Sequence, residues 1–490
     1  MSAAAAAALP LKRRIGNGSM LAYGVGAVAY GVKDNGFQTF LLLFYNQVMG
    51  LPAVSVGAAI MLALVLDAMI DPAIGAASDR TRSRWGRRHP WMYASAVPIA
   101  VGWMLLWNPP ALGQGAMLAW VFATAVVVRT AVSAYEVPSV ALTPELTADY
   151  DERTRIMAYR YLFGWAGGLA MLVAAYALFL VPTAGQPNGL LNRDGYQVYA
   201  IAGAVAMFAA ILISALGTHH EIARLPRPDI APGGVARAFG ELLETVRNRA
   251  FVILMGAGLC AYTAQGISFA LSNYLYSFVW GFGGATLLGV SAFMWLGGIL
   301  FAGVVAAFWL APRVAAAWGK RKAATVFMLL APALLVLPYW LRLAGLFPAP
   351  GDAALLPTLF AIFAVNTACS VSAYMLGASM MADVVEHSEV STGRRSEGVF
   401  FAGGFFVQKC TSGIGIFLAG TILAMAGFPE NAQPGAVPGA TIDRLTLVFT
   451  LVYLALGAGA AWLYSRFPFG KAEHDARIAL GEEATAHAAS

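Results

Sequence analysis

Charge is scarce in this chain: Asp, Glu, Lys and Arg make up 11% of its 490 residues, while 59% are hydrophobic. Soluble domains carry about 25% charged residues, and no soluble fold of this length could bury so much apolar surface. A water-soluble domain is therefore excluded, and an all-α polytopic membrane protein is predicted. Cysteine is nearly absent. Cys260, Cys369 and Cys410 lie in apolar runs without CxxC spacing, which excludes a disulfide framework or a thiolate metal site. HExxH, nucleophile-elbow and phosphate-loop patterns are missing and the polar loops are short, so no enzyme is expected; a polytopic membrane enzyme or receptor is the remote alternative. The N-terminal MSAAAAAALPLKRR has its basic cluster after the alanine run, not before it, and reads as a cytoplasmic tail instead of a signal peptide. The net charge of +6 resides in short loops and forms no continuous basic face, so nucleic acid is not an expected partner.

What the chain does contain is apolar runs of roughly 20 residues, the length that crosses a bilayer. About twelve are readable, near 21–48, 53–78, 91–110, 114–140, 158–181, 196–216, 250–280, 285–311, 324–345, 355–382, 398–427 and 443–466. The longest polar interval divides them six and six. The expected organisation is an N-terminal bundle over 1–218, a central cytoplasmic loop over 219–249, and a C-terminal bundle with a short tail over 250–490.

Lys and Arg alternate by loop. One side has Lys12, Arg13 and Arg14; Arg80 to Arg88; Arg153, Arg155 and Arg160; Arg224 to Arg249; Arg313 to Lys322; Arg394 and Arg395; and Arg466, Lys471 and Arg477. The other side has only Arg193, Arg342 and Arg444. Both termini are thus expected in the cytoplasm of a multi-pass plasma (inner) membrane protein. Basic loops after spans two and eight suggest a weak internal repeat, with two packed six-helix bundles enclosing a mid-membrane cavity.

Ions inside spans cost about 2.5–3.5 kcal/mol each at the bilayer centre and so mark function. They are Lys33 and Asp34, Asp67 and Asp71, Arg129 and Glu136, and Lys409. Asp67 and Asp71 sit one turn apart on one helix face, roughly 6 Å from each other. Two such carboxylates hold a proton or attract a cation, unless they simply neutralise Lys33, Lys409 or Arg129. Pro72 frees a backbone carbonyl nearby. Ser133 and Glu136 share a face of span four and could complete an oxygen-rich cation site, occupied by Na+ if coupling is to sodium. Arg129, two turns before Glu136, reads equally as its structural partner or as a substrate ligand. The aromatics Tyr135, Trp165, Tyr262, Tyr274, Tyr276 and Trp295 could stack on sugar rings or simply pack, and none is assigned to the site.

LDAMIDPAIGAASDRTRSRWGRRHPW resembles the second span and following loop of the glycoside–pentoside–hexuronide:cation symporters, the melibiose permease group of the major facilitator superfamily. YGVKDNGF, SAYEVP, DERTRIMAYRYLFGWAGG and FVQKCTSG extend that likeness over nearly the whole chain. The resemblance implies a major facilitator fold of two six-helix bundles and alternating-access symport of a sugar, glycoside or uronide with a monovalent cation. It implies Asp67, Asp71, Glu136 and Ser133 around that cation, Lys33, Asp34 and Arg160 at the substrate, Glu136 shared between the two, and Lys409 beside them. No cofactor is expected beyond the coupling ion, Na+ or H+, and a monomer in the lipid bilayer is expected. Vertebrate lysophospholipid carriers share the pattern, which makes an amphiphile carrier the alternative. Ile70 stands where the permease has an asparagine, Glu136 where it has an aspartate, and Val140 where it has a sugar-stacking tryptophan. Neither the choice of ion nor the galactoside preference therefore carries over.

Overall fold

A computed structural model describes residues 15–147, 149–224, 248–392 and 397–468. Lys12, Arg13, Arg14, Arg227, Arg237, Arg247, Arg394, Arg395, Lys471 and Arg477 lie outside the described residues, as does most of the expected central loop. The chain is helical almost throughout. It runs α1 (Asn17–Val25), α2 (Val28–Asn35), α3 (Ala53–Arg80), α4 (His89–Trp107), α5 (Gln114–Leu146), α6 (Tyr150–Ala174) and α7 (Arg193–Gly217). It continues with α8 (Arg249–Tyr274), α9 (Ala292–Trp318), α10 (Lys320–Leu343), α11 (Leu355–Thr392), α12 (Glu397–Ala426) and α13 (Gly439–Ser465). A two-residue hairpin, Thr286–Leu287 with Val290–Ser291, precedes α9.

Among the described residues, 10 helices are long and apolar enough to cross a membrane. The other two expected spans are the 19-residue α4 and the first segment, which is not one helix. After α2 the first segment widens into a π-turn at Gly36–Phe40, returns to α-helix at Leu41–Leu43, and widens again at Phe44–Val48. Wide turns of this kind occur mostly as single bulges at functional positions, and the first follows directly on Lys33, Asp34 and Asn35.

The contacts group the chain into two compact units. One comprises Met1–Phe37, Leu66–Leu180 and Arg193–Val235, the other Gln38–Val65, Val181–Asn192 and Ala236–Ser490. In lipid the tails are as apolar as leucine, so helices associate through close packing of small residues. In the first unit α2 crosses α6 at Gly31, where a Cβ would stand 2.0 Å from the Gly164 carbonyl oxygen. Its other end is filled by buried rings from α4 and α7: Trp107 stacks on Tyr196 at 5.6 Å and Trp103 meets Tyr199 at 5.8 Å. The second unit has a core of small and flexible side chains, including Ala257, Ala261, Met328, Ala373, Met380 and Ala460, drawn from α8, α10, α11 and α13.

The second unit also contains a repeat sharper than the basic loops suggest. Phe44–Val48 and Leu275–Val279 are both π-turns, each closed by the same pair of backbone bonds. Met49 N donates to Phe44 O as Trp280 N does to Leu275 O, and Leu51 N donates to Tyr45 O as Phe282 N does to Tyr276 O. Each ends on a left-handed glycine, Gly50 at φ 71° and Gly281 at φ 68°, a conformation in which a Cβ would be strained. The first segment and α8 thus terminate by the same device, residue for residue.

Candidate coupling and substrate site

Nearly all of the intramembrane charge gathers in the first unit, on α2, α3, α5 and α6. Asp67 leaves α3 with 3% of its surface exposed. Its Oδ2 accepts two bonds from Arg129, Nε at 3.0 Å and Nη2 at 2.8 Å, and its Oδ1 accepts the Ser133 hydroxyl at 2.7 Å. Arg129 and Ser133 are four residues apart on α5 and so present to α3 from one face. Arg129 is equally withdrawn, at 4%, and its guanidinium lies 5.4 Å from the Phe37 ring centroid. Asp71 follows one turn beyond Asp67 and is half-buried, with Pro72 next to it inside α3.

One turn further along α5 a second ion pair forms. Glu136 Oε1 accepts Arg160 Nη2 at 2.7 Å, and Arg160 Nη1 donates to Ser139 Oγ at 2.6 Å. The Tyr23 ring lies 5.0 Å beneath this guanidinium, and the Tyr23 hydroxyl is held by the Ser139 carbonyl and by Thr143 Oγ1. Arg160 is buried while Glu136 keeps about a quarter of its side chain open. Glu136 Oε2 is buried and has no hydrogen-bond partner among the described residues. On α2, Lys33 Nζ lies 3.6 Å from Asp34 Oδ1 and 4.2 Å over the Tyr30 ring. Lys33 is buried and Asp34 half-open, so the pair presents its acid outward.

Two expectations change. Arg129 is not the partner of Glu136, which is met by Arg160 from α6; its side chain reaches across to α3 and pairs with Asp67, the neutralisation that the sequence left open as an alternative to a cation site. The set Asp67, Asp71, Glu136 and Ser133 does not form one oxygen cluster. Asp67 and Ser133 belong to one ion pair and Glu136 to another, and among the described residues no three His, Cys, Asp or Glu side chains converge on a metal position. Asp67 and Ser133 do meet; Glu136 and Arg160 do meet; Lys33 and Asp34 do meet. Lys409 belongs to α12 in the other unit.

Sequence reasoning missed Tyr23, Tyr30, Phe37 and Ser139. A signal for Ser139 was present: Arg129, Ser133, Glu136, Ser139 and Thr143 recur at three- and four-residue steps and make a polar stripe along α5. Tyr23 and Tyr30, seven apart, share a face in the same way, yet tyrosine at helical spacing is as often core.

Comparison with known proteins agrees with this architecture. A family model described as MFS/sugar transport protein matches residues 22–471. An uncharacterized symporter of Synechocystis sp. is 29% identical over 486 residues, covering 85% of this chain and 87% of its own. The isoprimeverose transporter of Lactiplantibacillus pentosus is 27% identical over 443 residues, covering 90% and 87%. Among solved structures, the inward open xylose transporter XylE from E. coli superposes with a TM-score of 0.59 at 14% identity, over 92% of this chain and 96% of that one.

Proposed function

We propose, from the premise that this chain belongs to the MFS/sugar transport protein family, that it is a secondary active symporter which couples a monovalent cation, sodium or proton, to uptake of a sugar, glycoside or uronide. It is a transporter and not an enzyme. The lysophospholipid alternative is not favoured, since the family model is one of sugar transport and the relatives are symporters and sugar carriers. The observation that carries the reading is the Glu136–Arg160 pair, a charge-assisted contact in which one carboxylate oxygen is engaged and the other is buried without a donor. A polyol can satisfy such a pair from outside, with hydroxyls that donate to Glu136 Oε2 and accept from Arg160. Asp34, half-open and held by Lys33, supplies a second acceptor.

In this reading Lys33, Asp34, Glu136 and Arg160 hold the solute. Asp71 and Glu136 answer to the coupling ion. Because Glu136 serves both, ion binding changes solute affinity, and the solute changes ion affinity by the same factor. Transport then proceeds by alternating access across the bilayer. The protein works as a monomer in the inner membrane, with both termini in the cytoplasm.

The test is uptake by purified protein in liposomes, with a panel of glycosides and uronides under imposed sodium or proton gradients. Accumulation of one member under one gradient is expected, and Glu136→Gln is expected to lower it by about tenfold or more. Uptake by Glu136→Gln equal to wild type would remove Glu136 from the site, and no accumulation of any member would sink the sugar assignment.

A further inference from the structure

The part of the expected cation site that fits sodium least is its most buried acid. Sodium is a hard cation that takes oxygen ligands, and Asp67 with Ser133 would offer three oxygens to it. Here those oxygens are turned to another use. Asp67 Oδ2 accepts two N–H groups of Arg129, and Asp67 Oδ1 accepts the Ser133 hydroxyl. Both carboxylate oxygens and the serine proton are thereby committed to a contact supplied by the chain itself.

Arg129 is also a poor candidate for displacement. A guanidinium stays protonated in proteins, and this one is 4% exposed, so on leaving Asp67 it would carry an uncompensated charge through an apolar bundle. The Phe37 ring lies against it on α2's continuation. An alkali ion arriving at Asp67 with Arg129 in place would meet a like charge at contact distance, where low dielectric magnifies repulsion. Among the described residues no three His, Cys, Asp or Glu side chains are placed to hold a metal ion.

We propose that Arg129 is a built-in counter-ion that occupies the place an alkali cation would take at Asp67, so that sodium does not bind there and, with no other three acids placed to hold it among the described residues, a sodium gradient does not drive transport. The inference rests on the symport reading above and narrows its coupling ion to the proton. It has a consequence that a purely structural salt bridge does not: deleting the guanidinium should create a sodium site where none existed.

Purified full-length protein in detergent is heated at fixed pH in sodium or in choline, a readout that needs no substrate. The wild type should unfold at the same temperature in both. Arg129→Ala should unfold earlier in choline and recover several degrees in sodium, because a ligand that binds only the folded state stabilises it. Arg129→Lys should stay indifferent to sodium, and Asp67→Asn combined with Arg129→Ala should lose the new response. In liposomes, wild-type uptake should rise several-fold with a proton gradient and stay within twofold of its basal rate with a sodium gradient. A sodium-dependent shift in the wild type, sodium-driven wild-type uptake, or a folded Arg129→Ala indifferent to sodium each overturns the proposal. If Arg129→Ala does not fold, Arg129→Gln takes its place and the two wild-type measurements decide. Failure of all solute uptake would instead strike the symport reading, and the sodium shift would still judge Arg129.

Discussion

Asp67 and Arg129 are each almost wholly withdrawn from solvent, so removing either one strands the other's charge. Breaking a buried pair in this way costs about 3–5 kcal/mol, whereas replacing both partners by apolar residues of similar volume is often close to neutral. Asp67→Leu and Arg129→Leu are therefore each expected to lower stability by about that amount in sodium-free buffer, and the double variant to recover most of it. Unfolding in detergent measures the cycle, and single losses that simply added would show that the two side chains do not act as a pair. The same residues show how far the sequence could be read. Each charge in an apolar run was visible as a functional candidate because insertion makes it costly, and Ser133 was visible through its spacing from Glu136. The pairing was visible only as one of several alternatives. Arg129 can point along α5 to Glu136 or across to α3, and the outcome depends on how α3, α5 and α6 are rotated about their axes. Tyr23 and Tyr30 were hidden for a different reason: nothing local distinguishes a tyrosine that carries a cation on its ring from one that fills a core.

At the level of elements, what sets the distance between the proposed substrate residues of α2 and α6 is the crossing at Gly31. A methyl group there would fall 2.0 Å from the Gly164 carbonyl oxygen and 2.8 Å from the Gly168 backbone nitrogen, which are backbone atoms that cannot rotate aside. The helices would have to part, and Lys33 and Asp34, two and three residues on, would move relative to Arg160. Gly31→Ala is expected to cost about 1–3 kcal/mol as overpacking and to reduce uptake more than its stability loss explains. Gly115→Ala, where a Cβ meets nothing within 4 Å, is the matched control. Full uptake by a folded Gly31→Ala variant would show that this spacing does not matter. Hydropathy made the spans legible because burial in lipid is a property of composition. It did not show the break in the first segment, since a π-turn differs from an α-turn only in which carbonyl each N–H finds. The glycines Gly50 and Gly281 were the one local clue to the matched endings.

For the whole molecule, the proposed orientation in the membrane rests on a charge asymmetry independent of packing. Basic residues near span ends resist translocation, and Arg80, Arg82, Arg84, Arg87 and Arg88 crowd one loop while the 181–192 interval that ends at Arg193 has no Lys or Arg. Part of the basic loop is structurally tied down: Arg87 and Arg88 both reach Glu145 at the end of α5, at 2.8 and 2.9 Å, and Arg88 also pairs with Asp79. Ser83 and Gly185 stand exposed in the two loops, and the chain's own Cys260, Cys369 and Cys410 lie within helices α8, α11 and α12. A cysteine introduced by Ser83→Cys should then react with a membrane-impermeant maleimide only after the cytoplasmic face is opened, and one introduced by Gly185→Cys should react in intact cells. The reverse pattern would invert the topology and with it the direction of the proposed cation-driven uptake. Labelling of both from one side would mean an even number of crossings between them. That outcome would break the agreement between loop charge and the three spans that α4, α5 and α6 supply.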